Sequence, residues 1–195
     1  VVVGQLIGMV GLDFETGTRN WNIADIFPAR TISTPIIVNE GSPSEDLLIA
    51  AGCKQGVYLA ARVPRWDDGK MVSNAEVAWA MEGRTPYVPT PLSDGKNVYA
   101  LHDGGTLTAL DAETGETNWQ GRLLGNFYAS PILVDGKLYC LSRNGEMWVA
   151  KAGDSFRILN QSNLNPPADI TWSDATPAVA HNRLYIRLGS RLDCY

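Results

Sequence analysis

Leu12 to Trp21 reads LDFETGTRNW, and Leu110 to Trp119 reads LDAETGETNW. The spacing from Leu, through Asp and Thr-Gly, to Trp is the same in both. A phrase that recurs within one chain marks a structural unit that is reused, so the fold follows from that unit.

Three shorter signals recur in step with the phrase. The first is a Thr-Pro or Ser-Pro pair, at Thr34-Pro35, Thr90-Pro91, Ser130-Pro131 and Thr176-Pro177. The second is an apolar-Tyr pair eight residues after the last three prolines, at Val98-Tyr99, Leu138-Tyr139 and Leu184-Tyr185. The third is a glycine, at Gly56, Gly105 and Gly145, followed by alternating apolar residues. The prolines lie 56, 40 and 46 positions apart. A period in this range, with only strand-like segments between, is the signature of propeller blades.

The unit from Ser130 reads as four antiparallel strands. Ser130–Val134 is opened by a proline, tolerated where no ladder N–H is needed. Asp135-Gly136-Lys137 is a tight turn, since Gly accepts positive φ. Leu138–Leu141, Glu146–Ala150 and Phe156–Leu159 follow as strands, separated by turns at Arg143-Asn144-Gly145 and Ala152-Gly153-Asp154. Asp94-Gly95-Lys96 and His181-Asn182-Arg183 are first turns of other units, with Asn182 standing in for Gly in the left-handed region. The second unit is stretched at Gly41–Asp46 and at Val63–Ala75. Ala75–Met81 has some helical character, but Trp79 falls in the Trp slot of the repeat and the segment reads as a strand.

The pattern Leu-Asp-x-x-Thr-Gly-x-x-x-Trp, with its Pro-opened and apolar-Tyr strands, resembles the repeat of PQQ-like β-propellers. That group includes the quinoprotein alcohol dehydrogenases and the BamB-type outer-membrane assembly lipoproteins. The resemblance covers essentially the whole chain. It implies that Trp21, Trp79 and Trp119 dock between neighbouring blades. It also implies that Asp13, Thr16 and Gly17, with Asp111, Thr114 and Gly115, shape the turn to the outer strand. The fourth unit departs, because Ala152-Gly153-Asp154-Ser155-Phe156 lacks Thr-Gly-x-x-x-Trp. Its outer contact is expected to be weaker, or built from Phe156. An indole buries about 150–250 Å² and keeps one N–H that needs a partner.

The fold class read from this is all-β, a partial propeller of four-stranded blades forming a single domain over 1–195. The blades are 1–29 (partial), 30–84, 85–125, 126–170 and 171–195 (partial). Propellers of this family have seven or eight blades, so the chain reads as a piece of a longer one. The resemblance implies a periplasmic or extracytoplasmic location.

The formal net charge is −5, from 16 Lys and Arg against 21 Asp and Glu. There is no basic run of five or more residues, which argues against duplex nucleic acid as a partner. No apolar run approaches the roughly eighteen residues needed to span a bilayer. Cys53, Cys140 and Cys194 form no Cys-x-x-Cys and read as small buried apolar residues.

Nucleophile-elbow, phosphate-loop and His-Glu-x-x-His patterns are missing from the sequence. Asp67-Asp68-Gly69 lacks the alternating oxygen ligands of a calcium loop. Quinoprotein dehydrogenases hold PQQ with adjacent cysteines and a calcium ion; the sequence has no Cys-Cys pair. The expectation is therefore no catalytic residue, no metal and no cofactor.

In a four-stranded blade the first and third turns share one face, and the second turns share the other. First and third turns carry Glu15, Glu45, Asp46, Asp67, Asp68, Asp94, Glu113, Asp135 and Asp154, diluted by Lys70, Lys96, Lys137 and Arg19. Second turns carry Lys54, His102, Arg143 and Arg191, with Asp103 and Glu146. These four basic residues are the candidate binding face, on which a partner or anionic ligand would be steered electrostatically. The function expected is a non-enzymatic, BamB-like scaffold for a protein or small ligand. The alternatives are a fragment of a PQQ- and calcium-dependent quinoprotein dehydrogenase, or a sensor domain attached to an enzyme.

Overall fold

The computed structural model describes residues 2–4, 7–27, 31–38, 47–52, 57–64, 66–68, 70–71, 73–83, 85–168 and 172–195. Gly41–Asp46, Cys53, Lys54, Gly56 and Gly69 lie outside them. The first sheet is β1 (Val2–Gly4), β2 (Gly8–Leu12) and β3 (Arg19–Ile23). The second is β4 (Ile36–Val38), β5 (Leu47–Ala51), β6 (Val57–Arg62) and β9 (Glu76–Glu82). A two-stranded ribbon, β7 (Trp66–Asp67) and β8 (Lys70–Met71), is inserted between β6 and β9. The third is β10 (Leu92–Ser93), β11 (Asn97–Leu101), β12 (Thr106–Asp111) and β13 (Thr117–Arg122). The fourth is β14 (Ile132–Val134), β15 (Lys137–Leu141), β16 (Glu146–Lys151) and β17 (Ile158–Asn163). The last is β18 (Ala178–Ala180), β19 (Arg183–Leu188) and β20 (Arg191–Cys194). All pairings are antiparallel between sequence neighbours, except that β6 skips the ribbon to pair with β9. The chain is all-β, and Trp79 sits in a strand.

Turn chemistry sets the register. Val134 faces Lys137 across Asp135-Gly136, and Ala180 faces Arg183 across His181-Asn182. All four turn residues have positive φ, from 48° to 65°. That is the mirror-image turn whose twist matches the strands it joins.

Side chains alternate across each strand, so every inner strand feeds two seams. In β11, Val98 and Ala100 join the cluster shared with the second sheet, whereas Tyr99 and Leu101 join the cluster shared with the fourth. The four buried clusters each fill one seam between consecutive sheets. The core is thus a series of interfaces, and stability is close to a sum of neighbour terms.

A β-bulge recurs in the strand that pairs with the last strand of each of the first four sheets, at Gly11/Leu12, Ala60/Ala61, Ala109/Leu110 and Val149/Ala150. Just before it, Gly11 faces Trp21, Ala60 faces Trp79 and Ala109 faces Trp119. A small residue is needed there: a Cβ on Gly11 would lie 2.0 Å from the Trp21 indole nitrogen. In the fourth sheet the pair is Val149 and Asn160, larger on one side and without indole on the other.

A second contact joins sheets near their first strands. Thr34 N–H donates to Thr90 Oγ1 at 3.1 Å, Thr90 N–H to Ser130 Oγ at 2.9 Å, and Ser130 N–H to Thr176 Oγ1 at 3.1 Å. These are the hydroxyl residues of the Thr-Pro and Ser-Pro pairs. Thr90 and Ser130 each use their own N–H toward the next unit and their hydroxyl toward the previous one.

Two readings need correction. Phe156 precedes β17 instead of belonging to it, and its ring packs on Trp119 with centroids 5.6 Å apart. Cys140 is buried, and burial pushes its thiol up to about 12, whereas Cys194 is exposed in the edge strand β20.

Trp119 is 8% exposed and its indole N–H donates to Gly153 O at 2.6 Å. Trp119→Ala should cost about 3–5 kcal/mol in urea-induced unfolding. Trp119→Phe should cost less, because it keeps most of the apolar area and loses the hydrogen bond. Equal costs would show that the indole N–H contributes nothing.

Candidate functional site

The repeated phrase builds one turn twice. Asp111 Oδ1 accepts from Glu113 N at 3.0 Å, Thr114 N at 2.9 Å and Thr114 Oγ1 at 3.2 Å. Asp13 Oδ1 accepts from Glu15 N at 3.1 Å, Thr16 N at 2.8 Å and Thr16 Oγ1 at 2.7 Å. The Thr16 N–H, then its hydroxyl, hold the Asp13 carboxyl below the usual carboxylate range. Gly17 and Gly115 follow with φ of 70° and 74°. Gly115 has a second reason to be glycine: a Cβ there would lie 2.6 Å from the Trp79 ring of the preceding sheet.

The indoles reach across the seams. Trp79 Nε1 donates to Ala112 O at 2.9 Å. Trp21 is half-buried among Met9, Phe27 and Ala61. At the seam without a second Thr-Gly, Gly153 is held at both ends. Its carbonyl accepts from Trp119, and its N–H donates to the Tyr99 hydroxyl at 2.7 Å. That hydroxyl in turn donates to Asp94 Oδ2 at 2.5 Å. Burial and then the Asp94 bond push the Tyr99 phenol well above its ordinary value. For Asp94, burial opposes ionisation, yet the Tyr99 hydroxyl, the Asn97 N–H and amide and the Lys96 N–H together hold its carboxyl low.

The second-turn residues sit in a different setting. Arg143 forms a fork with Asp174, Nε to Oδ1 at 2.7 Å and Nη2 to Oδ2 at 2.9 Å. Its guanidinium lies between two rings, 4.1 Å from the Tyr128 centroid and 4.2 Å from that of Trp172. Tyr128 meets Tyr87 edge-on at 5.9 Å. Asp174 raises the Arg143 pKa further above its ordinary value. Arg191 donates to Leu164 O at 2.7 Å and Asn165 O at 3.0 Å, and pairs with Asp193 at 2.9 Å. His102 Nε2 lies 3.2 Å from Asp103, and its Nδ1 accepts from Gly104 N at 3.1 Å. Each described basic residue of the candidate face therefore stands against a carboxylate. On the opposite face, Lys96 pairs with Asp154 at 2.8 Å, and Arg62 pairs with Glu113.

Tyr87, Tyr128, Trp172 and Asp174 are members of this cluster that sequence reasoning missed. A signal was present: each aromatic lies two to four residues before a Thr-Pro or Ser-Pro pair. Those connections run along the same end of the sheets as the second turns. Trp172 remains 52% exposed beside a fixed cation. Such an arrangement suits recognition of an apolar or aromatic group. Among the described residues no three His, Cys, Asp or Glu side chains converge as a metal donor set.

A family profile described as outer membrane protein assembly factor BamB matches residues 60–193. None of the curated proteins compared with the sequence matches it. Among solved structures the chain is similar to BamB from Moraxella catarrhalis, at 18% identity and a TM-score of 0.68, covering 92% of this chain and 50% of that one. It is also similar to the quinohemoprotein alcohol dehydrogenase ADHIIG from Pseudomonas putida HK5, at 15% identity and a TM-score of 0.57, over 82% of this chain and 28% of that one. A europium-containing methanol dehydrogenase gives 11% identity and a TM-score of 0.52, over 73% and 26%. At such identities the likeness is one of fold. The chain spans about half the length of the BamB structure.

The Asp94 carboxylate predicts acid sensitivity at this seam. Its folded pKa is depressed, so its contribution is complete above the unfolded value of about 3.9 and is lost as pH falls through the folded value. Asp94→Asn should flatten the stability-against-pH curve below about pH 4, measured by urea unfolding across pH. A variant as acid-sensitive as the parent would remove Asp94 from that role.

Proposed function

We propose that this chain, which belongs to the family of outer membrane protein assembly factor BamB, is a non-enzymatic propeller segment that presents a rigid face to a protein partner outside the cytoplasm. The observation that carries the reading is Trp172, half-exposed and stacked on an Arg143 already fixed by Asp174 and Tyr128. An aromatic anchor held in place before binding loses little conformational entropy on docking. Central Trp, Tyr and Arg residues carry much of the energy of protein interfaces. The rim of this patch is polar, with Asp174 exposed beside Trp172. A fitting partner brings an apolar side chain to the indole and a donor to the carboxylate.

The family, outer membrane protein assembly factor BamB, supplies the setting, assembly of outer-membrane proteins. No helix among the described residues is long and apolar enough to cross a membrane.

The likeness to quinohemoprotein and methanol dehydrogenases raises the quinone cofactor and its metal. Nothing among the described residues supports that group. The cysteines are widely separated in sequence, and burial keeps the Cys140 thiol protonated. Among the described residues no donor set converges for a cation. No reaction step is assigned to the chain.

Two measurements test this reading. In cells producing the full protein, Trp172→Ala should lower the yield of folded outer-membrane barrels and weaken partner capture about thirtyfold or more, as a loss of at least 2 kcal/mol implies. The melting temperature should move only slightly. Unchanged barrel yield and capture would refute the docking role. Separately, the full protein supplied with PQQ and calcium should reduce no dye acceptor with alcohols or sugars. Sustained PQQ-dependent turnover would establish the enzyme reading instead.

A further inference from the structure

The seam between the fourth and fifth sheets is held together differently from the two seams before it. Trp79 and Trp119 each cross to the next sheet and donate to a carbonyl there, Ala112 O and Gly153 O. In the fourth sheet the register position of those indoles belongs to Asn160, which faces Val149 and is exposed. β17 reads ILNQSN and sends no indole toward the fifth sheet. The seam therefore lacks the burial of about 150–250 Å² that one indole supplies.

The lack shows in the residues around it. Tyr99, Ala109 and Leu138 are fully buried in the seam between the third and fourth sheets. Tyr139, Val149 and Leu184 hold the same register positions one sheet further on, and all three are only half-buried. Val179, opposite Leu184 on the same face, is 44% exposed. Only toward the second turns is the seam tight, where Leu141, Met147 and Leu188 are buried.

The polar contacts follow the same gradient. Among the described residues, all hydrogen bonds across this seam lie at the second-turn end. Arg143 forms its fork with Asp174, and Ser173 N–H donates to Arg143 O at 2.8 Å. Arg191 donates to Leu164 O and Asn165 O, and Ser130 N–H donates to Thr176 Oγ1. In a fold whose stability is nearly a sum of neighbour terms, the seam with the smallest apolar term parts first.

We propose that this seam is the joint at which the propeller parts, held shut by the Arg143–Asp174 clamp in place of an indole. Trp172 stacks on that clamp, so parting the seam displaces the docking residue. This consequence rests on the docking function proposed above; the joint itself does not.

Two methionines provide an internal comparison. Met9 and Met147 stand at the same distance before the bulge of their strands, Gly11/Leu12 and Val149/Ala150. Met9 is 0% exposed in the seam that Trp21 covers, and Met147 is 4% exposed in the seam without an indole. Sulfoxide forms only where peroxide reaches the sulfur. The full protein, treated with dilute hydrogen peroxide under native conditions and mapped by peptide mass spectrometry, should oxidise Met147 about tenfold faster than Met9 or more. Asp174→Asn breaks the clamp and should speed Met147 further while leaving Met9 unchanged. Val149→Ala combined with Asn160→Trp gives the fourth sheet the small residue and indole of the others, and should slow Met147 to the Met9 rate. If the double variant does not fold, the parent and Asp174→Asn decide the matter. Met147 oxidising no faster than Met9, or equally fast with and without Asp174→Asn, overturns the joint. Partner capture by Trp172→Ala reads docking alone, so the joint and the docking role can fail separately.

Discussion

A four-stranded sheet has two apolar faces and can cover neither alone. Everything else in this protein follows from how that deficit is met by the next sheet. The indole is the main instrument. It is wide enough to cover a seam, and its single N–H finds a carbonyl on the far side, Ala112 for Trp79 and Gly153 for Trp119. The rest of the motif is shaped to receive it. The bulge re-aims the outer strand, Gly or Ala clears space beside the ring, and the Thr-Gly turn of the next unit offers a surface without a Cβ.

The repeat made much of this legible. Two copies of Leu-Asp-x-x-Thr-Gly-x-x-x-Trp locate the turn, the outer strand and the indole, and the structure builds both turns from the same bonds to Asp13 and Asp111. Two parts of the unit stayed hidden although they recur. The small residue opposite each Trp looks like ordinary strand composition until pairing is known. The hydroxyl of each Thr-Pro or Ser-Pro pair is overshadowed by its proline, which explains the strand start and leaves the Thr or Ser unexamined.

The second-turn cluster was hidden for a different reason. Arg143 finds Asp174 31 positions along the chain, in a connection that has no counterpart with the same sequence in the other units. Repeats expose what is shared between units, and a recognition surface consists of what is not shared. The basic character of Arg143 and Arg191 could be read from the sequence. Their fixation by Asp174, Asp193 and the Leu164 carbonyl could not, since those contacts depend on how adjacent units meet. Phe156 shows the same limit. An outer contact built from Phe156 was one of two expectations, but neither its packing on Trp119 nor its departure from the strand could be read from the sequence.

The hydroxyl contacts from Thr34 through Thr90 and Ser130 to Thr176 have an evolutionary corollary. Thr90 and Ser130 each carry both a main-chain donor and a side-chain acceptor, so the three junctions from the second sheet to the fifth are made head-to-tail in the same way. A tandem gene duplication therefore inserts a module already equipped for both of its neighbours, whether it brings serine or threonine. The number of modules can change by whole steps without any new contact having to arise first. What selection must then tune is the curvature that lets the ring close.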